Sequence, residues 1–339
     1  MSLLICSFSL ICGCWRQSLA NPANIEFISV LTKAAASIVA ELLGANVLTV
    51  EFLHQGMMTY KCRVYTKDEG DVIVRFYPPG RSDLVNVEPD LLMRCHRAGI
   101  PVPQPIGDSR SGVSSPLNYV AYRRIDGETV AERLGDFDRA RRHVLAEDLA
   151  LHLYRLQSLA FEGAGELVSS VVAKSDSWSS FSKQSMQVGL EAIKRHKLLD
   201  QGMVGEIERV ISSDLPVPER AMHQLVWGDI NFGNILVRAD GHVAALIDFE
   251  GCMSGDPLAT LGYAAAVHGA DPFFSELQAV WPGSLSVDDE NLIAWYALLR
   301  ALRLAPFAHL PLPTGLARDP LVRIVPGIIP ALRQIAASF

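Results

Sequence analysis

The alternation of hydrophobic and polar positions predicts strands in the first third of the chain. Apolar and small residues first recur at helical spacing from Ile28 to Leu43, and Gly44 then ends this helix. Three segments rich in β-branched and aromatic residues follow, namely VLTVEFL (47–53), KCRVYT (61–66) and DVIVRFY (71–77). Their alternation and the KDEG turn predict an antiparallel meander. A helix over 87–100, a Pro/Gly/Ser-rich connection and a strand over 117–125 complete a small α+β unit.

After Asp126-Gly127 the pattern becomes mainly helical. An amphipathic helix is predicted over 138–160, mainly helical structure over 176–212, and helices with Pro-rich breaks over 258–339. Between them, NILVR and HVAALID read as two strands joined by Asp240-Gly241, a strong hairpin signal. The pattern predicts a small sheet lobe over 25–123, a hinge near 123–127, and a large, mainly helical lobe over 124–339.

Residues 1–24 form an apolar extension whose role stays open. A signal peptide fits its length, but the positively charged beginning of such peptides is missing, and the segment is too short to span a membrane. A start codon upstream of the true one, or an element packed on the body, fits equally well. Cys62, Cys95 and Cys252 lie singly on apolar backgrounds, which indicates reduced thiols in a cytoplasmic protein. Export is the weaker alternative, and no other segment reaches membrane length.

Composition indicates a folded protein, and charge argues against nucleic acid as a partner. The 339 residues are 49% hydrophobic, which is ample for a packed core. The formal net charge is −7 and no cluster of Lys and Arg occurs, so the sequence argues against nucleic acid as a partner. The acidic balance weakly favours a cationic small molecule. The oligomeric state leaves no signal in the sequence.

The candidate chemistry lies around the predicted hairpin, in WGDINFGNILVRADGHVAALIDFE (227–250). Asp229 and Asn234 are five residues apart in one loop, and Asp248 ends the second strand. Phosphoryl transfer needs one carboxylate to orient the incoming hydroxyl and accept its proton. It also needs an amide oxygen and a second carboxylate to hold Mg²⁺ against nucleotide phosphates. The three residues therefore predict a phosphotransferase site on a rigid hairpin.

WGDINFGNIL, then ALIDFE, then GDP resembles the catalytic region of the aminoglycoside phosphotransferase and choline kinase-like family, relatives of protein kinases. The order of elements is similar from about residue 45 to 305, and RRIDG and IDFEGCMSGD resemble the hygromycin phosphotransferase branch. The resemblance implies a protein-kinase-like, two-lobed α+β fold. Its small antiparallel-sheet N-lobe would bind the nucleotide, and its large, mainly helical C-lobe would hold the catalytic loop and the substrate site.

The same resemblance assigns roles to individual residues. Asp229 would be the catalytic base, and Asn234 and Asp248 the metal ligands. Arg75 takes the place of the lysine that steadies the nucleotide phosphates, and Glu88 is its helix partner. The remaining implied nucleotide contacts are the backbone of the hinge, Arg123 to Ile125, and the loop over the phosphates around Gln55, Gly56 and Met57.

Three positions depart from the family pattern, because Trp227 replaces its histidine, Thr260 replaces the aspartate after GDP, and Arg75 replaces its lysine. Other interpretations stay open for single residues. Glu88 before Pro89 also suits the first turn of a helix, and Arg75 on a strand needs an anionic partner in either case. Glu250 contacts either a substrate ammonium or second metal, or only solvent. We expect Asp256 to brace the catalytic loop. His268 has no partner visible in sequence, which favours a core or surface role.

The expected activity is Mg²⁺-dependent transfer of the γ-phosphate of ATP or GTP to a hydroxyl of a small, cationic molecule. An aminoglycoside-like antibiotic is the first candidate acceptor, and choline, homoserine or a methylthio-sugar is the alternative. A nucleotide-binding pseudoenzyme is the alternative from another class. A protein kinase is disfavoured because no Ala-Pro-Glu segment follows Asp248.

Overall fold

The computed structural model describes residues 22–54, 58–212 and 223–308 of the chain. These residues form two compact units. The first unit holds the chain up to His96 together with Val102–Asp126, and the second holds Arg97–Pro101 and the chain from Gly127 onward. The predicted loop residues Gln55, Gly56 and Met57, most of the apolar extension and the end of the predicted helical region lie outside the described residues.

The first unit consists of α1 (Pro22–Leu43), β1 (Val47–Leu53), β2 (Tyr60–Thr66), β3 (Val72–Tyr77), α2 (Glu88–Arg97), β4 (Pro105–Asp108) and β5 (Asn118–Arg123). Its five strands form an antiparallel sheet with the order β1-β2-β3-β5-β4, which confirms the predicted meander. Apolar residues of α1, such as Leu31 and Ile38, pack on Val64 and Val74 of the sheet. Gly44 adopts a φ of +63°, which explains why the helix ends there.

One strand of this sheet differs from the sequence prediction. Residues 105–108 read as part of a Pro/Gly/Ser-rich connection, but they form β4 and pair with β5 at the edge of the sheet. The edge position tolerates Pro105 because an edge strand does not need every backbone N–H for pairing. A short edge strand with a proline carries too little alternation to be recognised from sequence.

The second unit is mainly helical. On the predicted helix over 138–160, Leu145, Leu149, Leu153 and Leu156 are buried, as its apolar face requires. The helices are α3 (Val130–Arg133), α4 (Arg139–Leu156), α5 (Trp178–His196), α6 (Gln201–Ser212), α7 (Leu258–His268), α8 (Pro272–Ala279) and α9 (Val287–Leu304). α7 and α9 pack against each other through largely buried faces, and α5 packs on α9. None of the helices in the described ranges is long and apolar enough to cross a membrane.

Two small sheets complete the second unit. Their strands are β6 (Glu128–Thr129), β7 (Ala164–Leu167), β8 (Ala173–Ser175), β9 (Gln224–Val226), β10 (Ile235–Val237), β11 (Val243–Leu246) and β12 (Met253–Gly255). β10 and β11 are the predicted hairpin, with Gly241 at a φ of +93° in its turn, and β6 pairs with β10. The other sheet has the order β8-β7-β12-β9. The sequence did not predict its strands, because three or four residues are too few for an alternation to stand out.

The segment that carries the candidate chemistry runs from β9 to β12 along the chain. β9 leads into the Asp229 loop, the β10–β11 hairpin follows, and β12 begins after the turn that contains Glu250. β9 and β12 pair antiparallel, with Val226 opposite Met253. The pairing therefore brings both ends of the segment together and fixes the loop and the turn beside each other.

Candidate active site

The end of the β10–β11 hairpin brings Asn234 next to Asp248. The backbone N–H of Ile247 donates to the carbonyl oxygen of Asn234 at 2.9 Å, one residue before Asp248. Asp248 itself has a left-handed backbone, with a φ of +68°. Such a conformation is uncommon outside glycine, is tolerated best by Asn and Asp, and is often kept at functional sites. The local structure therefore turns the chain sharply at a predicted metal ligand.

Asp229 lies beside Asn234 and is held on both of its carboxylate oxygens. The amide nitrogen of Asn234 donates to Oδ2 of Asp229 at 3.1 Å and to its backbone oxygen at 2.9 Å. Nη2 of Arg300 donates to the other oxygen, Oδ1, at 2.8 Å. The carboxylate remains 41% exposed. Its orientation is thus fixed while an incoming hydroxyl can still reach it.

Glycine at position 228 allows the Asp229 loop to approach the turn after Asp248. A Cβ atom at this position would lie 2.0 Å from the carbonyl oxygen of Gly251, which no side chain can do without displacing the backbone. A Cβ at Gly251 would in turn lie 3.6 Å from that of Asp229. Asp229 and the turn that starts at Asp248 are therefore in direct proximity.

Trp227 supports both loops. Its ring is fully buried and stacks on Phe249, with centroids 5.6 Å apart. Its Nε1 donates to the carbonyl oxygen of Asp248 at 3.3 Å, and its backbone N–H donates to Oγ1 of Thr260 at 3.1 Å. Trp227 and Thr260, which both depart from the family pattern, are thus linked by a hydrogen bond that anchors the candidate segment to α7.

His268 supports the candidate site through contacts that the sequence did not reveal. Its Nε2 accepts a hydrogen bond from the backbone N–H of Phe232 at 3.1 Å, and its ring lies flat on that of Phe232, with centroids 3.5 Å apart. Burial lowers the pKa of His268 to about 4, although the negative charge of Asp271 opposes the shift. The imidazole is therefore neutral near pH 7, as an acceptor must be, and it fixes the loop between Asp229 and Asn234.

Arg300 is the second residue that the sequence did not reveal. It lies on α9, 71 positions after Asp229, and only 15% of its side chain is exposed. In the sequence it stands in an apolar helix, LLRAL, where an arginine usually reaches solvent. A half-apolar helix with an isolated arginine is too common a pattern to indicate a site. Only the packing of α9 brings the guanidinium to Asp229.

Glu250 and Asp256, the two further acidic residues singled out in the sequence, differ in their surroundings. Glu250 lies in the 3₁₀ turn Phe249–Gly251, two residues after Asp248, and is half-buried. Asp256 is buried, and its Oδ1 accepts from the backbone N–H of Leu258 at 2.9 Å at the start of α7. The hydroxyl of Tyr296 is also hydrogen-bonded to Asp256. Asp256 thus joins α7 to α9.

In the first unit, Arg75 and Glu88 form a buried ion pair. Nη1 of Arg75 lies 3.1 Å from Oε1 of Glu88, and both side chains are 2% exposed. The hydroxyl of Tyr77 donates to the other oxygen of Glu88. A buried charge needs such a partner because removal from water is costly. The structure therefore brings together the two residues expected to serve the nucleotide phosphates, with Tyr77 as a third member that the sequence did not indicate.

The predicted hinge follows the last strand of the sheet. Arg123 ends β5, and its guanidinium pairs with Glu69, so its side chain is turned to the turn after β2. The backbone N–H of Arg124 donates to the carbonyl oxygen of Asp71 at 2.8 Å. Ile125 is half-buried just before the boundary of the first unit. The predicted nucleotide contacts Gln55 and Gly56 lie outside the described residues.

The donor set at the hairpin fits Mg²⁺. Because the amide nitrogen of Asn234 is bound to Asp229, its amide oxygen is the atom left to face a cation. With the carboxylate of Asp248 this gives hard oxygen donors, which Mg²⁺ prefers, and this ion commonly completes its shell with waters and substrate phosphates. In the described parts of the chain, no group of three or more His, Cys, Asp and Glu could hold a metal ion.

Known structures share this fold. A thermostable mutant of the aminoglycoside phosphotransferase APH(4)-Ia, in ternary complex with AMP-PNP and hygromycin B, is similar with a TM-score of 0.63 and 15% identity, over 90% of this chain and 100% of that one. A putative fructosamine-3-kinase from Haemophilus somnus 129PT is similar with a TM-score of 0.60 and 15% identity, over 92% of this chain and 99% of that one. These likenesses confirm the expected protein-kinase-like fold.

One curated protein and one family model are similar in sequence to this chain. Acyl-CoA dehydrogenase family member 11 of Gallus gallus is 25% identical over 196 residues, which is 56% of this chain and only 22% of that protein. This chain therefore spans about a fifth of the length of that relative. The model of the phosphotransferase enzyme family matches residues 49–304, well over half of the chain. The chain belongs to the phosphotransferase enzyme family.

Proposed function

We propose that the enzyme transfers the γ-phosphate of ATP or GTP to a hydroxyl of a small molecule, with Asp229 as the catalytic base. The observation that supports this proposal most is the fixed carboxylate of Asp229, which Arg300 and Asn234 hold at its two oxygens while its surface stays accessible. A general base must be positioned within hydrogen-bond reach of the proton that it accepts, and the fixed orientation serves this requirement.

In the proposed reaction, the acceptor hydroxyl oxygen attacks the γ-phosphorus while its proton passes to Asp229. The bond between the γ-phosphorus and the bridging oxygen breaks, and the nucleoside diphosphate leaves with the electron pair of that bond. Asn234 and Asp248 are proposed to hold Mg²⁺, which when bound neutralises charge on the phosphates. Arg75, oriented by Glu88 and Tyr77, is proposed to bind phosphate oxygens, since a guanidinium can do so with two parallel hydrogen bonds.

The remaining nucleotide contacts are part of the same proposal. The backbone of Arg123 to Ile125 would contact the base, and the loop with Gln55 and Gly56 would cover the phosphates. Glu250 is proposed to lie at the acceptor or the metal, because it follows Asp248 by two residues in a tight turn. Asp256 is proposed to brace the catalytic loop indirectly. It is hydrogen-bonded to Leu258, at the start of α7, and to Tyr296. α7 is also the helix to which Thr260 ties Trp227.

Two classes of acceptor compete. An aminoglycoside-like antibiotic is the class that the sequence resemblance implies, and such an acceptor is cationic. A metabolite with a hydroxyl group is the second candidate, and the position of Arg300 favours it. A guanidinium 2.8 Å from Asp229 repels a cationic group that approaches the same carboxylate.

We also propose a cytoplasmic site of action. Cys62, Cys95 and Cys252 are free and buried, which suits a reducing compartment. Burial raises the pKa of Cys62 and of Cys95 to about 12, so both thiols are protonated and unreactive near neutral pH.

The test is release of ADP or GDP with Mg²⁺ in the presence of candidate acceptors, with Asp229→Asn as the inactive variant and the exposed Asp136→Asn as its matched control. We expect acceptor-dependent release that falls about 100-fold to 10,000-fold in Asp229→Asn and is unchanged in Asp136→Asn. Nucleotide binding without turnover of any acceptor would favour the pseudoenzyme alternative. Equal rates in wild type and Asp229→Asn would refute the assigned base.

A further inference from the structure

α9 carries two arginines on one face near the proposed catalytic base. Arg300 donates to Oδ1 of Asp229 at 2.8 Å, and its guanidinium carbon lies 5.5 Å from the centre of the Tyr263 ring. Nε of Arg300 is buried and has no hydrogen-bond partner among the described residues. Only part of the donor capacity of this guanidinium is therefore used by Asp229.

Arg303 lies one helical turn further along α9. Its Nη1 donates to Oγ of Ser185 at 3.2 Å, and its guanidinium carbon lies 5.2 Å from the centre of the Phe181 ring. Both of these neighbours are uncharged. Within the described ranges no carboxylate pairs with Arg303, so the charge of Asp229 offsets only one of the two arginines. The positive charge of Arg303 therefore remains uncompensated, one helical turn from the arginine that contacts Asp229.

The hydroxyl of Tyr263 provides a further donor at this place. Tyr263 is fully buried on α7, and its hydroxyl has no hydrogen-bond partner in the described part of the chain. Burial raises the pKa of Tyr263, while the positive charges of Arg303 and Arg300 oppose the rise. A buried hydroxyl without a partner is costly, and folds usually keep one only where something else binds it.

We propose that Arg300, Arg303 and the hydroxyl of Tyr263 form an anion subsite beside Asp229. The acceptor is then a small hydroxylated molecule that also carries a carboxylate or a phosphate. This inference rests on the proposed function for the position of the reacting hydroxyl. Residues three apart on a helix are separated by a rise of about 4.5 Å, so an anionic group held by both arginines would lie on the side of Asp229 that Arg300 contacts.

Kinetics with matched pairs of acceptors tests the subsite. One pair is glycerate and its amide, the other is glycerol 3-phosphate and glycerol, and hygromycin B serves as the polycationic acceptor. We expect the anionic member of one pair to exceed its neutral partner in kcat/KM about tenfold to hundredfold, and the pair that responds identifies carboxylate or phosphate. Arg303→Gln should remove this preference through KM, with kcat little changed, because the contact acts in binding.

Arg303→Lys should restore part of the preference, since it keeps the charge but not the planar donor geometry. Arg139→Gln removes an exposed arginine from the same unit and should leave the kinetics unchanged. A wild-type enzyme that uses hygromycin B better than every anionic acceptor, or an Arg303→Gln variant with the preference intact, would overturn the subsite.

A binding measurement separates the subsite from the proposed reaction. Glycolate and inorganic phosphate are each titrated by calorimetry into wild type, Arg303→Gln, Arg139→Gln and Tyr263→Phe. We expect about tenfold weaker binding in Arg303→Gln, weaker binding in Tyr263→Phe, and no change in Arg139→Gln. Tyr263→Phe should be no less stable to heat than wild type, because it removes only an unpaired hydroxyl.

Equal affinity of all four proteins for glycolate, together with equal affinity for inorganic phosphate, would overturn the subsite. Arg303-dependent binding of glycolate without phosphate transfer to any acceptor would instead support the subsite and overturn the proposed function. The failures of the two proposals are thus distinguishable.

Discussion

We expect the loop between Asp229 and Asn234 to be sensitive to acid, because the backbone N–H of Phe232 donates to His268. Nε2 of His268 can accept the N–H of Phe232 only while the imidazole is neutral, and burial lowers its pKa from the usual 6.5 to about 4. Because the folded pKa is lower than the unfolded one, unfolding takes up a proton at intermediate pH. The contribution of His268 is complete above pH 6.5 and is lost as the pH falls towards 4.

The magnitude follows from the size of the shift. Each unit of difference between folded and unfolded pKa corresponds to about 1.4 kcal/mol, so the free energy of unfolding should fall by about 2 kcal/mol between about pH 6.5 and pH 5. His268→Gln isolates this effect, since its amide oxygen can accept the same N–H without titrating. His268→Phe keeps a ring on Phe232 but leaves the N–H without an acceptor, which costs about 1–3 kcal/mol at any pH.

Urea unfolding at about pH 7.5 and about pH 5 measures both effects. The pKa of His152 is also lowered by burial, but this residue is present in every variant and cancels in the comparison. We expect wild type to lose stability at the lower pH more than His268→Gln by about 2 kcal/mol, and kcat to fall with it, because the loop between Asp229 and Asn234 loosens. Equal pH dependence in wild type and His268→Gln would refute this assignment of the loss to His268.

Three further substitutions test the packing around the site. Gly228→Ala should lower the free energy of unfolding by about 1–3 kcal/mol and reduce kcat, since its Cβ would meet the carbonyl oxygen of Gly251. Gly205→Ala, where a Cβ would meet no atom within 4 Å, should be neutral or stabilising. A Gly228→Ala variant as stable and active as wild type would contradict the close approach. Thr260→Val should lower the free energy of unfolding by about 1–3 kcal/mol, because it leaves the buried backbone N–H of Trp227 without an acceptor. Thr260→Ser should keep the wild-type stability, since its hydroxyl can accept the same bond. Equal stability of the two variants in thermal or urea unfolding would argue against this bond. Glu88→Gln should destabilise the protein by about 3–5 kcal/mol, because the buried guanidinium of Arg75 loses its charged partner. Glu69→Gln, at the exposed pair with Arg123, should cost under about 1 kcal/mol. Similar losses of stability at both positions would be inconsistent with burial as the cause.

Local signals were sufficient for much of the fold. The alternation over 47–77 predicted the meander, and Gly44 and Asp240-Gly241 predicted a helix end and a hairpin turn that glycine makes possible at positive φ. The spacing of Asp229, Asn234 and Asp248 predicted a common site because a tight loop and a hairpin hold residues that are also near in sequence. The catalytic and metal-binding roles of these residues remain proposals.

Contacts between distant segments carried no such signal. β4 and the three-residue strands of the second unit are too short for a period, so only pairing with neighbouring strands defines them. The partner of Trp227 at Thr260 lies 33 positions away, and the partner of Phe232 at His268 lies 36 positions away. A threonine or histidine in an apolar helix looks the same whether it serves a distant loop or not.

The sequence by itself determined the kinds of element, the order of the units along the chain and the segment that holds the candidate chemistry, since local spacing encodes these. Only the tertiary structure decided which side chains surround Asp229. Arg300 reaches it from 71 positions away because α9 packs on α7, and the same packing brings Arg303 and the buried hydroxyl of Tyr263 to this side of the site. Helix packing depends on the complementarity of whole faces and not on any short motif, so the charge beside the base could be read only from the fold.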